Sequence, residues 1–277
     1  GRWNLFNIYS DLDELCEFIA NSSPNIVIDL MGQGMVAPSW DDPRLWYVIN
    51  LANKSRVLQQ LDGLDSLELY MRASTPEVFG SSIDYLSENN SFNPSTPYAI
   101  SHASIDSHLR CLGRENGFPY LIARFANFYG VGQQFYRIIP KLFLSGYTNN
   151  IFTLDGGGHS LRSFIHSDDI VSAYNSMIEK ARPMNEYHFG GLEEVSMSYL
   201  ADIICDISGF CRHDFIKDGP ERPGKDQCYR MNCYKSLIEL GWKPKVQLRD
   251  GLNSVRDWIC RNIDQFHHCS WSYEHKI

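Results

Sequence analysis

The chain has 277 residues, 43% hydrophobic and 21% charged, which supplies a sizeable core for one or two domains and excludes a disordered chain. Its 25 basic and 33 acidic residues give a net charge of −8. That balance argues against nucleic acid as the main partner but leaves room for a small anionic ligand held by a few arginines.

Leu12, Leu15, Cys16 and Ile19 fall at i, i+3, i+4 and i+7 and predict a helix. After the break at Pro24-Asn25, Ile26 to Met31 is a short apolar run, the pattern of a strand buried on both faces. Asp42-Pro43 opens a second helix with Leu45, Val48, Ile49 and Ala52 inward. Leu67 to Ala73 reads as the next strand. Tyr98 to Glu115 reads as a long helix with Ile105, Leu109 and Leu112 on one side and Gly117 as its stop. Tyr120 to Ala123 is another strand. Beyond Gly130 come a short helix from Ile138 to Leu144, a flexible loop at Asp155-Gly156-Gly157-Gly158, and a helix from Asp168 to Lys180 capped by Ser167 or Asp168. A helix from Ser196 to Ser208, a loop through Pro220 and Pro223-Gly224, a helix ending at Gly241, and a last helix carrying Leu252, Val255, Trp258 and Ile259 complete the series. This alternation predicts an α/β fold with a largely parallel sheet in the first half and a smaller, looser domain in the second.

No stretch approaches the ~18 apolar residues of a membrane span. The start, Gly1-Arg2-Trp3-Asn4, has neither the basic end nor the apolar stretch of a signal peptide. The eight cysteines form no Cys-x-x-Cys and lie scattered along the chain, the usage of a reduced, cytoplasmic protein. His267-His268-Cys269 reads as a polar tail and not as a metal site, because adjacent side chains on a regular element point apart and no fourth ligand is evident.

One pair of segments carries chemistry. Ser74-Thr75-Pro76-Glu77-Val78-Phe79-Gly80 lies where a strand ends, and Pro97-Tyr98-Ala99-Ile100-Ser101-His102 where a helix begins. Ligands bind at the carboxyl ends of parallel strands, so a hydroxyl, a carboxylate and a phenol would meet in one crevice. The plain alternative is that Thr75 caps, Glu77 is solvated and Tyr98 packs.

These segments resemble the Thr-Asp-Glu-Val-Tyr-Gly and Tyr-x-x-x-Lys motifs of the extended short-chain dehydrogenases/reductases. The subgroup they most resemble is the nucleotide-sugar 4,6-dehydratases of the dTDP-glucose dehydratase type. Further pieces match in order over residues 11 to 260. Leu30-Met31-Gly32-Gln33 resembles Leu-Ala-Ala-Gln, and Asp42-Pro43 with Asn50 resembles Asp-Pro…Asn. The run from Arg124 to Gln133 resembles Arg-x-x-Asn-Val-Tyr-Gly-Pro-Gly-Gln, and that from Arg162 to Asp169 resembles Arg-Asp-Phe-Ile-His-Val-Asp-Asp. Arg222-Pro223-Gly224-Lys225-Asp226 resembles Arg-Pro-Gly-His-Asp, and Leu240-Gly241-Trp242-Lys243-Pro244 resembles Leu-Gly-Trp-x-Pro.

The resemblance implies a Rossmann-like, doubly wound parallel sheet with a smaller C-terminal substrate domain. Residues 1–132 and about 163–190 would bind NAD; residues 133–162 and 191–277 would bind a nucleotide-diphosphate sugar. It implies oxidation at C4 of the sugar, loss of water across C5–C6, and return of the hydride to C6. Tyr98 would take the C4 hydroxyl proton, Thr75 would hydrogen-bond that oxygen, and Glu77 would remove the C5 proton. Gly32, Ser74, Tyr98 and His102 would meet the cofactor. Asn127, Arg162 and Arg222 would lie near the diphosphate, where a guanidinium suits phosphate oxygens. A homodimer would form through the helices near Leu45–Leu61 and Tyr98–Glu115.

Three departures bear on these expectations. No strand followed by Gly-x-x-Gly-x-x-Gly is present, so the sheet is expected to lack its first β-α unit, whose turn holds a pyrophosphate. His102 replaces the motif's lysine, and a histidine near its reference pKa of ~6.5 is mostly uncharged at pH 7; the expectation is that it does the lysine's job weakly or at lower pH. Pro76 replaces an aspartate that assists loss of the C6 hydroxyl and has no proton to give. The same scaffold also accommodates a nucleotide-sugar epimerase, a uronate decarboxylase, or a non-catalytic nucleotide-sugar-binding relative.

Overall fold

The structure, a computed structural model, describes residues 3–221, 230–266 and 269–273. In chain order the elements are α1 (Leu12–Ser22), β1 (Ile26–Asp29), α2 (Pro43–Tyr47), a π-helical turn (Val48–Asn53), α3 (Lys54–Asp62), β2 (Leu69–Ser74), β3 (Tyr85–Leu86), α4 (Pro97–Asn116), β4 (Tyr120–Phe125) and β5 (Asn127–Tyr129). There follow α5 (Ile138–Thr148), β6 (Phe152–Asp155), β7 (Leu161–His166), α6 (Ser167–Lys180), β8 (Asn185–Phe189), β9 (Glu194–Ser196) and α7 (Met197–Ser208). The last are α8 (Arg212–Phe215), β10 (Ile216–Gly219), β11 (Arg230–Met231), α9 (Tyr234–Leu240) and α10 (Leu248–Phe266). No described helix is long and apolar enough to cross a membrane.

Four strands form a parallel sheet in the order β1-β2-β4-β8. Successive residues of a strand point to opposite faces, and both faces are covered at β2 and β4. Tyr70, Tyr120 and Ile122 pack under α1, the α2–α3 helix and α4. Leu69, Met71, Leu121, Ala123 and Phe125 pack under α6 and α9 with Trp242. The chain leaves this sheet through Ala126, whose N–H donates to the Phe189 carbonyl at 2.9 Å. It then continues as β5 beside β7, which in turn pairs antiparallel with β9. A separate core of α5, α7 and α10 side chains fills the second half.

Four expectations from the sequence are corrected. The strand at Ile26 is not buried on both faces: within the described residues it pairs only with β2, and Ile26 and Ile28 are 43% and 45% exposed. Ala52 does not face inward, because the π turn adds close to one residue per turn and moves the inward position on to Lys54, which is buried. The cap of α6 is neither Ser167 nor Asp168 but His166, whose Nδ1 accepts from the Asp168 N–H at 3.2 Å. The glycine run is not an open loop: Gly156–Gly158 forms a short 3-10 turn with Gly158 buried.

Gly80 closes the motif that begins at Thr75. Its φ of 72° and ψ of −167° are open essentially to glycine alone, and a Cβ there would stand 2.4 Å from the Asn93 carbonyl oxygen. Gly117 ends α4 at φ 73°, with nothing within 4 Å of the same built atom. Gly80→Ala is therefore expected to lower unfolding stability by about 3 kcal/mol, from strain plus collision, and Gly117→Ala by only about 1 kcal/mol, from backbone conformation alone. Urea denaturation of the two variants checks the ranking.

Candidate active site

The site is assembled where β2 ends and α4 begins. Thr75 is extended at φ −134°, ψ 145°, is buried, and its Oγ1 accepts from the Glu77 N–H at 3.3 Å. Pro76, which has no N–H to offer, opens the 3-10 turn Pro76–Phe79 that carries Glu77. Opposite, Thr96 caps α4 by accepting from the Ala99 N–H at 3.1 Å. This sets Tyr98 on the first helical turn, its own N–H donating to Ser39 Oγ at 3.2 Å.

The structure brings the two segments together. The Thr75 side chain is hydrogen-bonded to the Tyr98 phenol, which favours its ionised form, and the Glu77 carboxylate lies close enough to disfavour it. Burial is the largest influence and Glu77 the next, and together they push the phenol up to about 12. Thr75, Arg137 and Arg72 pull in the other direction.

Tyr98, His102 and Asp106 recur every four residues and so line one stripe of α4. The rings of Tyr98 and His102 lie 4.6 Å apart. Arg72 and Arg124 face this stripe from β2 and β4, and all three charged groups are buried. Arg72 donates from Nε to Asp106 Oδ1 at 2.9 Å and lies with Nη2 2.9 Å from His102 Nδ1. Arg124 Nη2 donates to Asp106 Oδ2 at 2.7 Å, and its Nη1 to Glu186 at 2.6 Å. The Ser74 hydroxyl also donates to Asp106, at 2.6 Å. The two guanidinium groups overcome the burial penalty and hold the Asp106 carboxyl down at about 2. Burial, and then Arg72, push His102 well below the usual imidazole range. The imidazole is thus neutral at pH 7, and the permanent positive charge beside it is Arg72's.

A second buried cluster holds the turn after β1. Lys54 Nζ donates to both Asp29 oxygens, at 2.8 and 2.7 Å, and to the Met31 carbonyl at 2.5 Å; the Tyr70 hydroxyl donates to Asp29 as well. Burial brings Lys54 down to about 8 against the pull of Asp29. Asn50 accepts from the Gln33 N–H at 2.6 Å and donates to the Gln33 carbonyl and to Ser101 Oγ, each at 3.0 Å. A Cβ on Gly32 would lie 3.1 Å from Asn50 Oδ1, so glycine permits this close approach.

Asn127 on β5 is the Cα partner of Phe164, two residues along β7 from Arg162, so Asn127 and Arg162 lie on one face of adjoining strands. Arg162 Nη1 donates to the Leu161 carbonyl at 2.7 Å. Beside them is a cavity of about 270 Å³ whose lining includes their chain neighbours Ala126 and Ser163, with Gly190, Gly191, Glu193 and Cys233. Thr75, Glu77 and Tyr98 do not line this cavity. Arg222 lies outside the described residues. Sequence reasoning missed Arg72 and Asp106. Their signal was a charge at an inward position: Arg72 follows Tyr70 by two in a strand, and Asp106 follows His102 by four in a helix.

The chain matches the family described as GDP-mannose 4,6 dehydratase over residues 5–255. It is 29% identical over 203 residues to human dTDP-D-glucose 4,6-dehydratase, covering 71% of this chain and 58% of that protein. It is 30% identical over 196 residues to dTDP-glucose 4,6-dehydratase of Streptomyces antibioticus, covering 70% and 58%. The chain thus spans under two thirds of the length of these curated relatives. Among solved structures, DesIV, a dTDP-glucose 4,6-dehydratase from Streptomyces venezuelae with NAD bound, superimposes with a TM-score of 0.87 at 25% identity, over 94% of this chain and 80% of that one. UDP-glucose 4-epimerase of Thermotoga maritima with UDP-glucose gives 0.86 at 23% identity, over 93% and 84%, a likeness of fold.

Two outcomes follow from the charges. Asp106→Asn leaves Arg72 without a carboxylate partner and is expected to cost about 3–5 kcal/mol in chemical denaturation. Because the folded pKa of Asp106 lies below its ordinary value of 3.8, its contribution is present above about pH 4 and lost as pH falls towards 2; the variant should lack that part of the acid sensitivity. Glu77→Gln removes a negative charge near the phenol and should lower the ionisation midpoint of Tyr98 from about 12, read as the ultraviolet phenolate difference from Tyr98→Phe.

Proposed function

The chain belongs to the GDP-mannose 4,6 dehydratase family, and we propose that it is an NAD-dependent nucleotide-sugar 4,6-dehydratase. The observation that carries this reading is the meeting of Thr75, Glu77 and Tyr98 at the carboxyl end of β2. On this reading Thr75 and Tyr98 hold the C4 oxygen, and Tyr98 accepts its proton. Glu77 removes the proton at C5, which the neighbouring C4 ketone acidifies, and the C6 hydroxyl leaves as water. A carboxylate base beside the phenol is what a C4 epimerase does not need.

The residues fit the nicotinamide side of a dinucleotide. The Gly32 turn is kept open by Asn50, and His102 Nε2 has no hydrogen-bond partner among the described residues. Gly32, Ser74, Tyr98 and His102 are the proposed contacts. Bound NAD supplies reversible hydride acceptance at C4 and its return at C6. Asn127, Arg162 and Arg222 are the proposed diphosphate contacts, with the adjoining cavity taking the nucleotide end. Residues 1–132 and about 163–190 form the proposed cofactor part, and the remainder the substrate part. A homodimer through the α2–α3 helix and α4, and a cytoplasmic location consistent with the seven described free cysteines, belong to the same reading.

Pro76 favours a second reading, an epimerase or uronate decarboxylase, since it stands buried where an acid would assist departure of the C6 hydroxyl. Incubation with NAD and dTDP-glucose, UDP-glucose or UDP-glucuronate separates them by product mass. Loss of water is expected from a glucose nucleotide, while an unchanged mass or loss of carbon dioxide would select the second reading. Glu77→Gln should slow the dehydration by about 100-fold or more.

A further inference from the structure

We propose that Arg72 is a positioning residue for His102: it locks the imidazole as the neutral tautomer protonated at Nε2, a hydrogen-bond donor on a ring whose centre lies 4.6 Å from that of Tyr98. A guanidinium carries donors only and does not give up its proton. With Arg72 Nη2 2.9 Å from His102 Nδ1, that ring nitrogen must present its lone pair. The ring proton then sits on Nε2, which makes no hydrogen bond to any described residue.

The arrangement is held from behind. Asp106 Oδ1 accepts from Arg72 Nε at 2.9 Å, while its Oδ2 is taken by Ser74 and Arg124. Arg72 therefore cannot swing away from the imidazole without leaving a buried charge unpaired. A doubly protonated His102 would set two donors against each other at hydrogen-bond distance. The titratable and charged groups facing the ring are Arg72 from β2, Asp106 and Tyr98 from α4, Lys54 from α3 and Asp29 from β1. Asp106 and Asp29 favour the imidazolium, but burial and the two nearby cations oppose it.

The inference deepens the reading of Tyr98 and His102 as cofactor contacts and rests on it for the meaning of the donor. The tautomer itself does not depend on it. A position that holds a charged donor in the Tyr-x-x-x-Lys motif here holds an uncharged one, and the charge stands one residue behind it on the sheet. The pair divides between two side chains what one ammonium group does alone.

Nitrogen-15 NMR of the full chain labelled at histidine tests this without substrate, so its outcome stands apart from any assay of turnover. His102→Gln assigns the His102 signals. The expected spectrum shows a protonated Nε2, a bare Nδ1, and no titration around the ordinary imidazole midpoint of ~6.5. In Arg72→Met the midpoint should rise by about one unit or more and the fixed tautomer should be lost. In Arg72→Gln, whose amide can still donate, the tautomer should persist while the midpoint rises. A wild-type His102 that is protonated at Nδ1, or that titrates near its ordinary midpoint, overturns the proposal. So does an Arg72→Met or Arg72→Gln protein, folded by circular dichroism, whose His102 signals match wild type at every pH. Should Arg72→Met fail to fold, the wild-type spectrum and Arg72→Gln decide.

Discussion

The Asp106 carboxylate, buried between Arg72 and Arg124, is the joint on which the site depends. Two guanidinium groups in a dry interior are a heavy desolvation cost, and only a well-placed counterion with satisfied hydrogen bonds offsets it. Asp106 meets one arginine with each oxygen, and Glu186 shares the second. The two Asp106 bonds run between α4 and the sheet, and the Glu186 bond ties β4 to β8 within it. The helix is thereby fixed in rotation and in height against β2 and β4, and the first two turns of α4, with Tyr98 and His102, are fixed with it. A hydrophobic contact would hold the helix nearby; a directional pair of charged bonds holds it in one register.

The same joint reaches the phenol through Arg72. Glu77 beside a half-buried phenol is costly, because a carboxylate opposes formation of a second negative charge. Thr75 relieves part of that cost by hydrogen bonding, and Arg137 and then Arg72 add smaller relief through charge. None of this relief comes from His102, which burial keeps neutral. A motif that keeps its tyrosine and changes its lysine can keep a nearby cation, provided another element of the fold supplies one.

Much of the architecture was legible from local pattern. Apolar runs separated by helical periodicity gave the parallel sheet, and the motifs at Thr75 and Tyr98 fell where a strand ends and a helix begins. Three kinds of feature were not legible. Whether β1 has a neighbour on its outer side is a matter of strand pairing, which its own residues do not encode, and Ile26 and Ile28 proved exposed. The inward set of the second helix slipped at Ala52, because hydrophobic periodicity assumes a constant turn and this helix widens. The Arg72–Asp106–Arg124 cluster was overlooked because its members are polar. A buried charge looks like a solvated one until the partner that neutralises it is seen across 34 or 18 residues of chain.

The widened turn at Val48–Asn53 amounts to a stored insertion. A regular turn would hold one residue fewer while leaving the helix on either side in phase. Loss of a codon there, other than that of Asn50, would therefore give a tidier helix that still carries the Lys54 ammonium to Asp29 beneath the turn of Met31 and Gly32. The same loss in a regular helix would turn everything beyond it by about 100°. The stretch holds slack in length, and the floor of the crevice can outlast its removal.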